Sequence, residues 1–588
     1  MDLKQLSLNT KKVGADFCVV GGGMAGVCAA LAAARNGVKT VLVQDRSVLG
    51  GNASSEVRMW ICGAHGSENK ETGIIEELQL ENIFTNESLN FNVWDHVIYG
   101  KCLEQENLQV ILNCSVYSLE MTDDNKKIAK VNAWHTHEQC FYEISAKLFA
   151  DCSGDSILRL SGADYRCGRE ARDEFNEAHA PEKADDFTMG NSILIQIRKT
   201  NLPHREFTAP EWAHHYTDET APKRELVPTG HNFWWLEIGG MQNTLLDCDN
   251  IRDELLKIAY GVWEYIKNHP DGRGHDWELD WIGSIPGKRE NVRYMGDVIL
   301  NQNDVEAEGK HFDDIVAFGG WPMDDHHPEA IHYPGEPTIF HYAPSPFGIP
   351  YRCLYSRNID NLLFAGRNIS TTHMAMSSTR VMGTTSIMGQ AIGTAAAIAV
   401  RDSLTPREVY SAGKMVELQN TLMDQDCYIP WHARKMSDLT KNAALISSNG
   451  NDVTAIRNGI ERSLDGVDNG WWGNSNDYLE YSFDKPVEIN GIRLLFDSDL
   501  TLEKRMLCRY EEEGFSAEYP KMMSKEFMIE AKFADSDEWK TVKLVTNNKQ
   551  RLVNFKNLNL KNVVGCRLKL LKMHDENSAG HVFSFDFL

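Results

Sequence analysis

Apolar positions change their spacing several times along the chain, and each change marks a different kind of element. Residues 16–20 read as a strand, Asp16 opening a short apolar run at 17–20 that a glycine cluster follows, the pattern of a buried strand. An alanine-rich stretch at about 24–36 follows, long enough for a helix, and Gly37 suits the position just past its end. With a second strand at 39–43, the opening reads strand, glycine turn, helix, strand, which is a βαβ unit. A third strand is predicted at 110–112, and 130–134, 141–144 and 146–150 read as strands of a small meander.

From about 165 to 342 this rhythm stops. Trp212, His214, His215, Trp234, Trp235, Trp277, Trp281, Trp321, His326 and His327 crowd a segment that reads as an inserted domain of mixed strands and loops. The earlier pattern returns at 361–366, a buried strand ending in glycine, followed by a small-residue helix at about 388–400. Pro406 opens a helical region reaching about Met423. Beyond 443 short alternating strands take over, at 478–483, 491–496, 526–533, 540–545, 566–572 and 581–587. Even spacing with Gly, Asn and Asp turns predicts a β-sandwich. The expected division is therefore a core from 14–164 and 343–405, an insert at 165–342, a helical connector at 406–442 and a sandwich at 443–588. At 588 residues the chain exceeds what one hydrophobic core holds.

Charge narrows the partners. A formal net charge of -24 argues against nucleic acid or an anionic membrane, since both call for a basic face. The longest apolar stretch, near 391–400, is too short to span a bilayer. Residues 1–12 are polar with no apolar signal-peptide core, so a cytoplasmic location is expected, or a secreted or periplasmic one had a leader been trimmed. The thirteen cysteines contain no C-x-x-C pair, which argues against a dithiol centre, a zinc ribbon or a disulfide scaffold. His326-His327 beside Asp324-Asp325 lacks ligand spacing, so no metal site is expected.

The glycine cluster carries the first chemistry. Gly21-Gly22-Gly23-Met24-Ala25-Gly26 gives G-x-G-x-x-G between a strand and a helix. Gly21 permits the tight turn, Gly23 lets backbone approach a pyrophosphate, and Gly26 lets helix and strand pack closely. The helix start then offers free N–H groups to phosphates. The acidic position some 20 residues on is taken by Gln44, followed by Asp45, and Gln44 is expected to hydrogen-bond the ribose. Arg46 admits a 2′-phosphate alternative.

Leu49-Gly50-Gly51-Asn52-Ala53-Ser54-Ser55 resembles the second glycine turn of FAD-dependent oxidoreductases of the glutathione-reductase type. Ser115-Val116, Asp151-Cys152-Ser153-Gly154-Asp155 and Asn361-Leu362-Leu363-Phe364-Ala365-Gly366-Arg367 resemble, in order, their adenine-holding segment, their Ala-Thr-Gly segment and their late flavin strand. That late strand ordinarily ends Gly-Asp with the acid on the ribitol, and here Arg367 stands in its place. The closer resemblance is to a broad bacterial family of FAD-dependent oxidoreductases with the run R-x-x-L-G-G-N-A-S, here 46–54, followed later by His373, Ser377, Arg380 and Gly389-Gln390-Ala391. The resemblance covers about 15–165 and 345–400. It implies an α/β fold with a Rossmann FAD-binding core, an inserted α+β substrate domain and FAD as cofactor. It implies cofactor contacts from Gly21, Gly23, Met24, Ala25, Gly26, Gln44, Asp45, Arg46, Gly50, Gly51, Asn52, Ser54, Arg58, Val116, Ser153, Gly154, Gly366, Arg367 and Gln390. The sandwich resembles a discoidin or galactose-binding-like domain, on Trp471-Trp472, 478–483, 486–492 and the late Arg567-Leu568-Lys569 strand.

No second G-x-G-x-x-G follows, so electrons are expected to pass to a substrate, oxygen, a quinone or a protein. Oxidation at flavin N5 needs a base, and His373, just after the late strand, is the first candidate. Arg380 and Arg58 are candidates to clamp an anion or steady the reduced ring, and His65 to line the site or tether the flavin. Tyr351, Arg352 and Trp321 are candidates for substrate contact. Three readings compete: oxidation of a carbohydrate or polyol hydroxyl carbon, fumarate-reductase-like reduction of an alkene acid, and a non-redox glycan-binding or lyase-type protein with structural FAD. The expected partner is a small-molecule or glycan substrate; a homo-oligomer is left open.

Overall fold

A computed structural model of the chain describes residues 8–66, 68–228, 232–508 and 515–588; of the polar start at 1–12, residues 1–7 lie outside the described residues. The chain divides into two compact units. One holds Met1–His65, Ser88–Leu418 and Arg505–Ser516, the other Gly66–Glu87, Gln419–Lys504 and Ala517–Leu588, as far as these are described.

The first unit is α/β, with a Rossmann core. Its sheet has five parallel strands in the order Leu362–Phe364, Leu148–Asp151, Phe17–Val20, Thr40–Val43, Leu108–Ile111. Phe17–Val20 is buried along its whole length, as a parallel strand covered on both faces must be. Chain order reverses between Phe17–Val20 and Leu148–Asp151, so the crevice for a ligand opens at the ends of these two strands. Leu148–Asp151 corrects an expectation: the 146–150 run is no part of the meander but pairs with both Phe17–Val20 and Leu362–Phe364. The meander is Cys114–Met121, Ile128–His135 and Cys140–Ser145, extended by Thr10–Gly14 in parallel register.

The helix Met24–Arg35 is buried at every position except Arg35, and the late helix, Met382–Asp402, lies against it. A Cβ on Gly389 would fall 2.1 Å from the Ala25 carbonyl oxygen, and one on Gly393 would fall 2.2 Å from that of Ala29. Small residues thus let the two helix backbones approach directly. The region after Pro406 forms two helices, Pro406–Ser411 and Met415–Asp424.

The insert is α+β, with a core of its own. Its centre is the helix Cys248–Lys267, whose Ile251, Leu255, Ile258, Val262 and Ile266 pack on Ile193, Ile195, Ile197, Leu236 and Ile238. The hairpin Met323–His326/Thr338–His341 is paired antiparallel with Asp324 opposite Phe340 and His326 opposite Thr338.

The second unit is a β-sandwich. One sheet runs Ala444–Ser447, Tyr478–Ile489, Leu560–Met573, Ser524–Phe533, Trp539–Val545, and the other Trp471–Gly473, Gly580–Phe587, Ile492–Phe496, Leu552–Phe555. Leu479, Tyr481, Phe496, Phe527, Leu568 and Phe585 fill the space between them. The helix Ile74–Thr85 belongs to this unit, where Glu76 is 3.1 Å from the buried Lys504 ammonium. No helix among the described residues is long and apolar enough to cross a membrane.

Candidate active site

A single cavity of about 570 Å³ in the first unit takes in both glycine turns, the ends of the central strands and part of the insert. Gly21, at φ +102°, is forced to be glycine, because a Cβ there would sit 2.4 Å from the Ser153 backbone. Gly26 is forced likewise, its Cβ falling 1.8 Å from the Gly21 oxygen. Gly23 differs: it lines the cavity, and a Cβ there meets no protein atom within 4 Å, so its missing side chain leaves room for a ligand. Met24 and Ala25, in the first turn of Met24–Arg35, also line the cavity, and that turn holds no acid. Their amides have no partner within the helix and carry the partial positive charge that favours an anion at that helix start.

The second turn is tied to the first by the Gly50 amide, which donates to the Gly22 oxygen at 2.8 Å. Gly50, Gly51, Asn52, Val116, Ser153, Gly154, Gly366 and Arg367 line the cavity. Arg367 donates to the Gly154 oxygen, the Lys288 oxygen and Asp155. Burial opposes the charge on Asp155, but Arg367 and Lys288 outweigh it and hold the carboxyl below its usual range. Asp155 and Lys288, which also line the cavity, were not singled out in the sequence.

Several expected contacts take other roles. Gln44 reaches the cavity wall, but its amide oxygen accepts the Gly22 N–H at 2.7 Å and its nitrogen donates to the Val48 oxygen at 3.3 Å. The exposed neighbour Asp45 lines the cavity; Arg46 lines it too, 3.5 Å from Glu56. Ser54 is buried and donates to the Gly51 oxygen at 2.7 Å, bracing the turn from behind. Gln390 is buried within Met382–Asp402, away from the cavity lining. Arg58 also lies outside the lining: it donates to Gln196 at 2.7 Å and sits over the Trp281 ring at 4.4 Å.

The candidate chemistry moves as well. His373 is buried and held between Glu290, 2.9 Å from Nδ1, and Asp325, 3.0 Å from Nε2. Burial opposes its charge, but the two carboxylates outweigh it and push its pKa up to about 10. A histidine protonated at neutral pH and absent from the lining is no base for a substrate there. His65 is not part of the lining; it stacks at 4.4 Å on Trp321, which is. Tyr351 is fully buried and donates to the Pro406 oxygen, and Arg352 grips Asp314 through two nitrogens, so neither faces a substrate in the cavity.

Arg289, Asp324, His326 and Arg380 line the cavity and, with Glu237 just behind the lining, form a cluster of paired charges drawn from four segments. His326 Nδ1 is 2.6 Å from Glu237, and its Nε2 is 3.3 Å from Asp324. Arg380 donates to Asp324 at 3.0 Å, and Arg289 lies 3.2 Å from Glu237 while donating to Ser192 and the Trp234 oxygen. Burial opposes the charge on Asp324, but His326, Arg380 and Thr338 outweigh it and hold the carboxyl far below its usual range. Trp60, Trp234, Trp321 and Phe340 line the cavity too. Among the described residues, Trp321 Nε1 and Arg380 Nε are buried with no hydrogen-bond partner, a cost normally met by a ligand or water. An open Cβ position at Gly23, unpaired amides at a helix start and orphaned donors beyond them fit a dinucleotide with space for a substrate. Alternation on the hairpin put Asp324 and His326 on one face; their adjacency to Arg289 and Arg380 had no sequence signal.

Comparison with known proteins places the chain. The family model described as FAD dependent oxidoreductase matches residues 16–422. None of the curated proteins matches the chain. Among solved structures, a geranylgeranyl bacteriochlorophyll reductase-like protein of Thermoplasma acidophilum is 11% identical, over 71% of this chain and 86% of its own, with a TM-score of 0.31. A family 32 carbohydrate-binding module from Streptococcus pneumoniae EndoD is 18% identical, over 25% of this chain and 95% of its own, at 0.19. An F5/8 type C domain of Bacteroides fragilis is 13% identical, over 26% and 94%, at 0.18. With the model matched from the first central strand through the late helix, the chain belongs to the FAD dependent oxidoreductase family.

Proposed function

We propose that the protein oxidises a hydroxyl-bearing carbon of a neutral carbohydrate or polyol. The observation that carries this reading is the balance of the ionic cluster. A dicarboxylic alkene acid needs arginines free to pair with it, whereas at the His326 end of the cavity Arg289 and Arg380 already face Glu237 and Asp324. The lining also offers aromatic faces at Trp60, Trp234, Trp321 and Phe340, and the unpartnered donors Trp321 Nε1 and Arg380 Nε. Flat apolar surfaces interleaved with single polar atoms suit the C–H faces and hydroxyls of a sugar.

Bound FAD supplies the acceptor for the hydride, at its N5 position. The hydroxyl proton falls to the chain. His326 lines the cavity, and its two carboxylate partners are already shared with Arg289 and Arg380; with Nδ1 against Glu237, its Nε2 takes the proton once the substrate hydroxyl displaces Asp324 from it. Arg380 keeps Asp324 ionised.

The test is anaerobic bleaching of the flavin band across neutral sugars, polyols and dicarboxylates. A neutral polyhydroxy compound should bleach it, and His326→Asn should slow that step by roughly 10²- to 10⁴-fold without loss of colour. Reoxidation of the reduced protein by an alkene acid alone would replace this reading with the reductase one. A band that no donor bleaches would leave FAD a structural or non-redox role.

A further inference from the structure

We propose that His373 is a positioning residue, one jaw of a clamp through which a short helix holds residues 321–326 against the cavity; this rests on the role proposed for His326 and Asp324. Among the described residues the strand Met323–His326 has one strand neighbour, Thr338–His341. Its side chains alternate, so Asp324 and His326 line the cavity while Asp325 is directed the other way. The helix His373–Thr379 reaches this segment at three places. At its start, His373 Nε2 meets Asp325 at 3.0 Å. In its last turn, Ser378 Oγ donates to the Trp321 carbonyl oxygen. At its C-cap, Arg380 donates to the Asp324 carbonyl at 3.2 Å and carboxylate at 3.0 Å. One jaw thus grips the back of the strand and the other its cavity face.

The His373 jaw is itself fixed. Its main-chain N–H donates to Glu170 at 2.8 Å, and its Nδ1 meets Glu290. Glu170 and Glu290 are both tied to the buried Arg293. The ring therefore has little freedom to turn, and Asp325 is held by a cation that is itself anchored. Replacing either member removes the bond between His373 Nε2 and the Asp325 carboxylate, which loosens the strand rather than removing a group that touches substrate.

The experiment compares His373→Gln, Asp325→Asn and the double variant, each loaded with FAD. Hydrogen exchange read by mass spectrometry should speed up at 323–326 by roughly tenfold in both single variants, with 24–35 and 382–402 unchanged. Bleaching by the best donor should slow by on the order of 100-fold, as expected of a displaced catalytic group, with substrate affinity nearly retained. The double variant should lose no more than either single one. Exchange that rises everywhere, or not at 323–326, overturns the clamp, and faster local exchange with unchanged bleaching overturns its positioning role. Should His373→Gln fail to fold, Asp325→Asn alone decides by the same two readouts. If the wild-type band bleaches with no donor, the function proposed above fails while the exchange measurement still judges the clamp.

Discussion

Gly23 and Gly26 lie three residues apart in one motif and are glycine for opposite reasons. Gly26→Ala would drive a methyl group into the Gly21 carbonyl, so it should cost about 1–3 kcal/mol or more and lower the melting temperature of the FAD-free protein. Gly23→Ala meets no protein atom and should leave that melting temperature unchanged, yet weaken FAD binding, read by flavin fluorescence quenching, by tenfold or more on the order of a lost phosphate contact. Equal effects of the two on stability would contradict this division. His373 makes a second residue-level prediction. Its folded pKa of about 10 lies above the ordinary histidine value, so its stabilisation is complete below about pH 6.5 and is lost as pH climbs toward 10. The gap in denaturant midpoint between wild type and His373→Gln should therefore be widest near pH 6 and close by about pH 10. The glycines were legible in the sequence because their constraint is local. His373 was misread because its partners lie 83 and 48 positions away, and nothing in the spacing announces that two carboxylates will enclose it.

Among the elements, the central strands and the first helix follow from uninterrupted apolar runs and alanine content. The strand Leu148–Asp151 did not, since four buried residues after a meander continue the meander as readily as they enter a central sheet. The helix Cys248–Lys267 was legible and missed: Ile251, Leu255, Ile258, Val262 and Ile266 follow at steps of three or four, one face of a helix. Leu255, fully buried there, should cost about 2–5 kcal/mol when replaced by alanine. At the contact of the two core helices, Gly393→Ala places a methyl group 2.2 Å from the Ala29 oxygen and should cost about 1–3 kcal/mol in a denaturant melt. A neutral result at either position would show that these contacts relax more freely than their packing implies.

For the whole chain, the change from βαβ rhythm to alternating strands was visible in the sequence, and so was the sandwich. That residues 66–87 share the sandwich's unit was not, because the link is one long-range set of contacts, including Glu76 with Lys504 and Ser498. A fragment of 443–588 alone should therefore unfold without a sharp transition, while one that also carries 66–87 and 419–442 should melt cooperatively; a sharp melt of the shorter fragment would contradict this. The ionic cluster was likewise beyond sequence reading, since Glu237, Arg289, Asp324, His326 and Arg380 meet only through the fold of the insert upon the core. The most direct test of the account is a crystal structure of the FAD-loaded protein. It should show the diphosphate against Gly23 and the start of Met24–Arg35, and the ring within the same cavity as Asp324, His326 and Arg380. Density for FAD outside that cavity, or a ring remote from His326, would contradict it.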